Sequence, residues 1–283
     1  MSRDGKLKLY LIGYPIRHSL SPMIMDYIFR SKGINAFYTL YEVKSSIEHI
    51  IKRFREMEVY GFNVTIPYKE EVIRFLDYIS QEADVIGAVN TVHNSDGELI
   101  GYNTDWYGVY KPITRFGGNN FDTALVIGAG GAAKAAVYGL KELVDKIYIA
   151  NRTYDRAVKL CRRFDSFFKE MKHLKLFSDE VDRIISKADI LINATPVGMK
   201  KGEKPINLES VERDVIVFDM IYKPLKTELI KEAEEKGLKT IDGLWMLIYQ
   251  AVEAVKIWFN ASADVDDVRR YILGKVIKDG GIW

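Results

Sequence analysis

The hydrophobic pattern of the N-terminal third predicts alternating strands and helices. Short runs rich in branched and aromatic residues predict strands over 9–13, 36–43 and 61–67. Apolar residues at helical spacing predict helices over 23–29 and 47–54, and shorter helices are predicted over 68–76 and 82–86. The segments AVNTVH and ELIGYN flank an Asn-Ser-Asp-Gly turn, which predicts a β-hairpin and therefore a mixed sheet.

A different pattern begins at Thr123, where the predicted strands become apolar along their whole length. The runs TALVIG, KIYIA, ADILINA and DVIVFDM are separated by segments with helical periodicity. Strands that are buried on both faces and alternate with helices are typical of a parallel, doubly wound sheet. After Gly243 the sequence is helical to its end. The expected fold class is α/β, with a doubly wound parallel-sheet domain inserted in a second α/β domain that has a mixed sheet.

Length and charge narrow the classes of protein to which the chain can belong. A chain of 283 residues is long enough for two domains of ordinary size. Its 41 basic and 39 acidic side chains leave a net charge of +2, a poor footprint for nucleic acid or anionic membrane. No apolar stretch reaches the length of a membrane span, and the apolar segment at the start is too short for a secretory signal. We therefore expect a soluble cytoplasmic protein whose partner is a small molecule.

A glycine-rich turn, GAGGAA, follows the strand TALVIG and opens the next predicted helix. Gly128 permits a tight turn, Gly130 lets the backbone approach a pyrophosphate, and Ala133 keeps the helix close to the strand. The N-terminus of that helix attracts phosphate charge. Small residues also suit a plain contact between helix and strand, but the strand–turn–helix context favours a Rossmann-type dinucleotide site.

The end of the strand KIYIA bears on the choice of dinucleotide. An enzyme that prefers NAD usually carries a carboxylate there for the ribose hydroxyls. This chain has no carboxylate at that strand end, and it offers Arg152 and, one turn later, Arg156. A guanidinium suits a 2′-phosphate, although arginines on a surface helix are commonly only solvated. The missing carboxylate favours NADP.

The segment HSLSP precedes the first predicted helix and has two interpretations. Ser21 before Pro22 is the pattern of an ordinary helix N-cap. Ser19 and Ser21 could also hold a carboxylate through hydroxyl and backbone N–H groups at the helix start. Residue chemistry alone favours the cap.

Other polar residues lie near predicted strand ends, where open α/β sheets bind ligands. Lys69 falls in the first turn of a predicted helix, whose dipole disfavours an ammonium there. Lys69 is therefore either an ordinary solubilising side chain or an acid–base group. Asp105 either caps the following helix or joins Asn90 in a site. Gln250 lies in an apolar helix, so its amide either bridges helices or faces a ligand. The four histidines and single cysteine show no metal-binding spacing, so we expect no metal.

Taken in chain order, these motifs resemble shikimate dehydrogenase over nearly the whole chain. The similarity includes HSLSP, NVTIPYK, GAVNT, GYNTD, the glycine turn and NRTYDR. It continues through NATPVGM, the Tyr222–Pro224–Thr227 pattern and the helix that contains Gln250. Several of these motifs are weak individually, but seven or eight in the right order are very specific. Trp245 is a departure, because many members of the family carry glycine at that position.

The resemblance implies reversible, NADP-dependent reduction of 3-dehydroshikimate to shikimate, in the pathway to chorismate and the aromatic amino acids. It implies that Lys69 is the acid–base group, and we expect Asp105 to act with it. The substrate carboxylate would be held by Ser19, Ser21 and Tyr222, and its hydroxyls by Thr65, Asn90, Asp105 and Gln250. The implied cofactor-binding residues are Gly128, Ala129, Gly130, Gly131, Ala132, Asn151, Arg152, Thr153, Arg156, Met220 and Gly243. Residues 1–104 and 243–283 would form the substrate domain, and 105–242 the NADP-binding domain.

Three other functions fit parts of the sequence. A quinate dehydrogenase that uses NAD belongs to the same superfamily, but Arg152 and the missing strand-end carboxylate argue against it. A non-catalytic dinucleotide-binding regulator would not need Lys69 and Asp105, which are both present. A folate-type methylene dehydrogenase would share the two-domain plan, but this assignment does not explain the paired serines. The sequence leaves the oligomeric state open, and a homodimer is compatible with it.

Overall fold

The structure, a computed structural model, describes residues 5–44, 46–211 and 214–278 of the chain. Contacts between residues divide the chain into two units. The first unit comprises the residues up to Thr104 together with a C-terminal segment that begins at Ile248. The second unit runs from Asp105 to Leu247. Each unit contains its own sheet.

The first unit is built on a mixed sheet. Its described strands are β1 (Leu7–Gly13), β2 (Ala36–Glu42), β3 (Gly61–Val64), β4 (Tyr78–Ile79), β5 (Thr91–Ser95) and β6 (Glu98–Tyr102). The strand order is β2-β1-β3-β5-β6-β4, in which β2, β1 and β3 are parallel and β5 is antiparallel to both β3 and β6. Its helices before Thr104, in the part of the chain that is described, are α1 (Ser21–Lys32), α2 (Ile47–Glu56) and α3 (Gln81–Ile86). The predicted mixed sheet is confirmed.

The helical spacing of apolar residues determines which face of α2 is buried. Ile47, Ile50, Ile51 and Phe54 are all buried, and they belong to one cluster with Phe62 of β3. Because these side chains recur at intervals of three and four residues, they lie on the side of α2 that faces the sheet. This cluster forms the core on one face of the first sheet.

The predicted hairpin joins β5 to β6. Ser95 pairs with Glu98, so Asp96 and Gly97 form a two-residue loop. Their φ angles are 52° and 97°, as the two central residues of a type I′ turn require. The Asn94 side chain accepts a hydrogen bond from the Gly97 N–H at 2.9 Å. The hairpin prediction is confirmed.

The α-helix predicted over 68–76 is wrong. Residues 66–70 form turns, and only Glu71–Phe75 is helical, as a short 3-10 segment. In an α-helix the Lys69 carbonyl would accept from the residue four positions ahead. Here it accepts a hydrogen bond from the Val89 N–H at 2.8 Å. Lys69 therefore does not lie in the first turn of an α-helix, and its ammonium is not subject to an α-helix dipole there.

The second unit is built on a parallel sheet. Its described strands are β7 (Phe121–Ile127), β8 (Val144–Asn151), β9 (Glu170–Lys175), β10 (Ile190–Asn193), β11 (Ile216–Asp219) and β12 (Lys239–Ile241). The described helices between them and before them are α4 (Asp105–Gly117), α5 (Gly131–Leu140), α6 (Tyr154–Phe164), α7 (Asp179–Ile185) and α8 (Glu228–Glu235). Helix α9 (Gly243–Phe259) begins in this unit and leads into the C-terminal segment, which also contains α10 (Val265–Lys278).

The strand order β12-β11-β10-β7-β8-β9 is that of a doubly wound sheet. The first strand, β7, lies in the middle, and the chain winds outward from it in both directions. All residues of β10 and β11 are buried, as their continuous apolar sequences predict. The predicted Rossmann-type fold is confirmed. None of the helices in the described part of the chain has the length and apolar character needed to cross a membrane.

Candidate active site

The segment before α1 brings two serine side chains together. The Ser19 hydroxyl donates to the Ser21 hydroxyl oxygen at 3.1 Å and accepts from the Ser21 N–H at 3.2 Å. Helix α1 begins at Ser21 itself, and the cap residue is Leu20. The interpretation of Ser21 as an N-cap is therefore wrong, because Ser21 already lies inside the helix. Its side chain is buried and makes contact with Ser19 instead of capping.

Strands β1 and β3 approach each other closely at their carboxyl ends. A side-chain carbon on Gly13 would lie 2.3 Å from the Thr65 methyl group and 3.0 Å from the Ile66 carbonyl oxygen. The Thr65 N–H donates to the Ile12 carbonyl at 2.9 Å. Glycine at position 13 therefore gives Thr65 its place at the end of β3.

Lys69 lies in the turn that follows Thr65, and its side chain is half-buried. The Lys69 carbonyl accepts from the Val89 N–H at 2.8 Å, and the Val64 N–H donates to the Asn90 carbonyl at 2.9 Å. These two bonds attach the turn that carries Lys69 to the segment that carries Asn90. Two predicted site residues, far apart in the sequence, are thus brought into one region of the first unit.

Asn90, Thr104 and Gln250 form a buried polar cluster in the first unit. Asn90 Oδ1 accepts from the Thr104 N–H at 2.7 Å. Asn90 Nδ2 donates to Thr104 Oγ1 at 3.0 Å and to Gln250 Oε1 at 3.4 Å. The Thr104 hydroxyl also donates to Gln250 Oε1 at 3.4 Å. Asn90 and Gln250 are both predicted site residues, and the structure brings them together. Thr104 contacts both of them.

Thr104 is a member of this cluster that the sequence interpretation missed. It lies in the GYNTD motif directly before Asp105, and its hydroxyl is fully buried with the two amides. A threonine beside an aspartate at a helix start is easily assigned to capping, which conceals any other role. Its position within GYNTD is the feature of the sequence that could indicate a site residue.

Asp105 and Tyr222 lie in the second unit. Asp105 is the first residue of α4 and is buried, with 5% of its surface exposed. A carboxylate in the first turn interacts favourably with the helix dipole. Tyr222 lies in the chain after β11 and is partly exposed.

The glycine turn has the geometry that its sequence predicts. Gly128 has a φ of 113°, which favours glycine, and a side-chain carbon there would lie 3.0 Å from the Ala194 carbonyl oxygen. Gly130 precedes the first residue of α5, and a side-chain carbon on it would contact none of the described residues within 4 Å. Ala133 is fully buried. The turn is tight at Gly128 and open at Gly130, where the helix N–H groups begin.

The residues after β8 carry two exposed arginines. Asn151 Nδ2 donates to the Thr153 carbonyl at 2.7 Å, which fixes the start of the segment. Arg152 and Arg156 are both exposed, and neither guanidinium has a hydrogen-bond or ion-pair partner among the described residues. Five N–H donors on each side chain therefore remain available to an anion.

The start of α9 lies against the chain that follows β11. A side-chain carbon on Gly243 would lie 2.4 Å from the Met220 carbonyl oxygen, so only glycine allows this approach. The Gly243 N–H donates to the Ile221 carbonyl at 3.2 Å. Trp245, the departure from the family pattern, packs against Phe116 with ring centroids 5.2 Å apart. Its indole thus contacts the end of α4 in the second unit.

One buried carboxylate in the second unit has a strongly altered acidity. Asp219, at the end of β11, is fully buried, and desolvation raises its pKa from 3.8 to about 6. Hydrogen bonds from Thr227, Ile221 and Asn193 oppose that effect by stabilising the ionised form. The folded state therefore binds this proton more tightly than the unfolded chain does.

The raised pKa of Asp219 predicts a pH dependence of stability. Because the folded pKa lies above the unfolded one, wild-type protein should lose stability relative to Asp219→Asn as the pH rises from about 4 to 6, by about 3 kcal/mol. The difference should be constant above pH 7, where Asp219 is ionised in both states. Urea unfolding of both proteins across this range measures it. A difference that does not change with pH would show that the carboxyl is not buried as described.

Three family models match successive parts of the chain. The model described as the shikimate dehydrogenase substrate binding domain matches residues 11–92. The model described as shikimate / quinate 5-dehydrogenase matches residues 114–242. The model described as the shikimate 5′-dehydrogenase C-terminal domain matches residues 243–272.

Individual relatives match over nearly the full length. A shikimate dehydrogenase (NADP(+)) from Pyrococcus furiosus is 40% identical over 271 residues, which cover 95% of this chain and 97% of the relative. A crystal structure of shikimate dehydrogenase in complex with NADP+ has a TM-score of 0.88 at 36% identity and covers 98% of both chains. Quinate dehydrogenase from Corynebacterium glutamicum, in complex with NAD, has the same TM-score of 0.88 at 28% identity, covering 95% of this chain and 99% of that one.

The doubly wound sheet, its glycine turn and the second α/β unit define a dinucleotide-binding oxidoreductase. Within that class, the chain belongs to the shikimate dehydrogenase family. The family that the motifs predicted is confirmed.

Proposed function

We propose that this chain is an NADP-dependent oxidoreductase that reversibly reduces 3-dehydroshikimate to shikimate, on the pathway to chorismate and the aromatic amino acids. The observation that carries this function is the 2.8 Å hydrogen bond from the Val89 N–H to the Lys69 carbonyl. It attaches a cationic acid–base group to the cluster of uncharged groups around Asn90. A small acid with several hydroxyls needs such neutral donors and acceptors, and its ketone needs a proton donor.

Lys69 performs the proton transfer. When bound, the cofactor would supply the hydride for ketone reduction in its reduced form, NADPH, and would accept it in the reverse direction as NADP+. The Lys69 ammonium donates a proton to the developing alkoxide oxygen, and neutral Lys69 removes the hydroxyl proton when shikimate is oxidised. Asp105 is the second member of the catalytic pair and also holds a substrate hydroxyl.

The second unit has the groups that NADP requires. The pyrophosphate fits the backbone of residues 128–132, which is open at Gly130 and Gly131, where the N-terminus of α5 attracts negative charge. The segment from Asn151 to Arg156, with two arginines available to an anion, suits the 2′-phosphate. Met220 and Gly243 would contact the nicotinamide end.

Hydroxyl and amide groups, together with the Asp105 carboxylate, would bind the substrate. Ser19 and Ser21 would hold its carboxylate together with Tyr222, since the Ser21 hydroxyl accepts from Ser19 and its own O–H donates to no described residue. The hydroxyls would be held by a set that is buried except for Thr65: Thr65, Asn90, Asp105 and Gln250. Recognition of the carboxylate would thus depend on hydroxyl and N–H donors rather than on arginine.

Arg152→Ala should weaken the use of NADP far more than the use of NAD. A charge-assisted contact to the 2′-phosphate is lost, which corresponds to a rise of about ten- to hundredfold in the Michaelis constant for NADP. Arg162→Ala is the matched control, because Arg162 is exposed like Arg152 but lies near the C-terminal end of α6. Steady-state kinetics with both cofactors make the comparison. Equal use of NADP and NAD by the wild type would show that the NRTYDR segment does not select the cofactor.

Ser19→Ala and Ser21→Ala should each raise the Michaelis constant for shikimate. Each removes a hydroxyl from the proposed carboxylate site, and one hydrogen bond to a charged group corresponds to about tenfold or more. Ser31→Ala is the control, because Ser31 lies at the other end of α1 and its hydroxyl donates to the Ile28 carbonyl at 2.9 Å. Unchanged Michaelis constants in both variants would remove the serines from the carboxylate site.

Quinate oxidation with NAD is the second candidate activity. The quinate dehydrogenase fold matches this chain as well as a shikimate dehydrogenase does, so backbone shape does not separate the two. The residues after β8 distinguish the two activities, since they present arginines and no strand-end carboxylate. They favour NADP, and hence the shikimate reaction.

Three further assignments accompany this function. Residues 1–104 and 243–283 would form the substrate-binding domain, and residues 105–242 the NADP-binding domain. The protein would act in the cytoplasm, where its single buried cysteine stays reduced. It would act as a monomer or a homodimer, which light scattering of the purified protein distinguishes.

The direct chemical test is identification of the product. Purified protein, NADPH and 3-dehydroshikimate should give shikimate in equal amount to the NADPH consumed, as measured by chromatography. Heat-inactivated protein is the control. Consumption of NADPH without formation of shikimate would contradict the proposed function.

A further inference from the structure

Asp219 lies at a junction of three uncharged donors. Its Oδ2 accepts from the Thr227 hydroxyl at 2.6 Å. Its Oδ1 accepts from the Ile221 N–H at 3.1 Å and from Asn193 Nδ2 at 3.0 Å. A fully buried carboxylate without hydrogen-bond donors is strongly destabilising, so each of the three donors helps to hold Asp219 in this position.

The Asn193 side chain also orders the chain after β10, which we call the β10 loop (residues 194–199). Asn193 Oδ1 accepts from the Thr195 N–H at 3.1 Å and from the Thr195 hydroxyl at 2.7 Å. Asn193 Nδ2 donates to the Val197 carbonyl at 3.0 Å as well as to Asp219. One amide therefore connects the β10 loop to the buried carboxylate.

The chain after β11, which we call the β11 loop (residues 220–227), is attached to the same carboxylate near both ends. Ile221 donates to Asp219 through its backbone, and Thr227 through its hydroxyl. Thr227 also caps α8, because its Oγ1 accepts from the Ile230 N–H at 3.3 Å. The β11 loop carries Tyr222, proposed above for the substrate carboxylate.

We propose that Asp219 is a positioning residue that couples the β10 loop to the β11 loop and thereby fixes Tyr222 for substrate. The role of Tyr222 rests on the proposed function. Loss of one donor to a shared buried acceptor weakens the whole network, because its hydrogen bonds support one another. The residues proposed for the adenosine end follow β8, which β7 separates from β10 in the sheet, so they lie outside this network.

Hydrogen exchange tests the coupling without any ligand. Thr227→Val keeps the side-chain shape and removes the donor, so amides of both loops should exchange faster, on the order of tenfold. Thr227→Ser keeps the hydroxyl and should exchange like the wild type. Thr123→Val is the matched control, because Thr123 is also buried in this unit and donates to Asp122 at 2.8 Å near the amino end of β7. It should leave both loops unchanged.

Ligand measurements test the positioning. Thr227→Val should raise the Michaelis constant for shikimate on the order of tenfold and leave the dissociation constant of adenosine 2′,5′-bisphosphate unchanged. A general loss of folding would alter both, and Thr227→Ser should alter neither. If the wild type does not oxidise shikimate, the proposed function fails, while the exchange measurement still decides the coupling.

Two results would overturn the coupling. One is faster exchange in the β11 loop alone after Thr227→Val, and the other is equal loosening by Thr227→Ser. If Thr227→Val does not fold, Thr195→Val perturbs the same network from the β10 loop, because it removes the 2.7 Å hydrogen bond from the Thr195 hydroxyl to Asn193. It should then loosen the β11 loop as well, and loosening of its own loop alone would equally contradict the proposal.

Discussion

Lys69→Ala is expected to lower turnover by about 10²–10⁴-fold while NADP binding stays near that of the wild type. The variant removes the group that gives the alkoxide its proton, and Lys69 is not among the residues proposed to bind the cofactor. Lys69→Arg should be similarly slow, because a guanidinium keeps the charge but does not release its proton. Steady-state kinetics and equilibrium binding of NADP measure the two effects.

The control for this variant is a lysine outside the proposed site. Lys52, exposed on α2 of the same unit, should tolerate replacement by alanine with turnover unchanged. Near-normal turnover in Lys69→Ala would refute the mechanism. Recovery of activity in Lys69→Arg would show that the charge matters and the proton transfer does not.

Asp105→Asn should reduce both turnover and substrate affinity, with turnover lower by about 10²-fold. Both fall because Asp105 is proposed to act with Lys69 and also to hold a substrate hydroxyl. Loss of the charge in the first turn of α4 should also lower the free energy of unfolding, by up to about 2 kcal/mol, because Asp105 is buried. Thermal unfolding beside the kinetics separates the two effects.

The double variant Lys69→Ala with Asp105→Asn tests whether the two residues act as a unit. Residues that serve one step are strongly non-additive, so the double variant should be little slower than the slower single variant. Losses that multiply would show that Lys69 and Asp105 contribute independently. In that case Asp105 would be a binding residue alone.

In the second sheet, sequence patterning predicts the interior strands better than the edge strands. The apolar runs of β7, β10 and β11 are visible because these strands lie inside the second sheet. Strands β9 and β12 were not predicted, since they form its two edges. β9 contains a single fully buried residue, Leu174, and the polar sequence EMKHLK shows no apolar run.

The candidate site divides between local motifs and distant contacts. The glycine turn was predictable because its conformation depends on residues within one short segment, above all Gly128. The contact between Asn90 and Gln250 was not, because the two residues are 160 positions apart and neither amide indicates its partner. The α-helix predicted over 68–76 is wrong for a similar reason. The Lys69 carbonyl accepts a hydrogen bond from the N–H of Val89, which is 20 positions away, instead of one from within an α-helix.

Comparison of kcat/KM for four substrate–cofactor pairs tests the claim that this chain oxidises shikimate with NADP. Shikimate and quinate are each assayed with NADP and with NAD, by following formation of the reduced cofactor. We predict that the pair of shikimate and NADP has the highest kcat/KM, and that exchange of either partner lowers it. Equal or higher kcat/KM for quinate with NAD, or no reaction of shikimate with NADP, would contradict the claim.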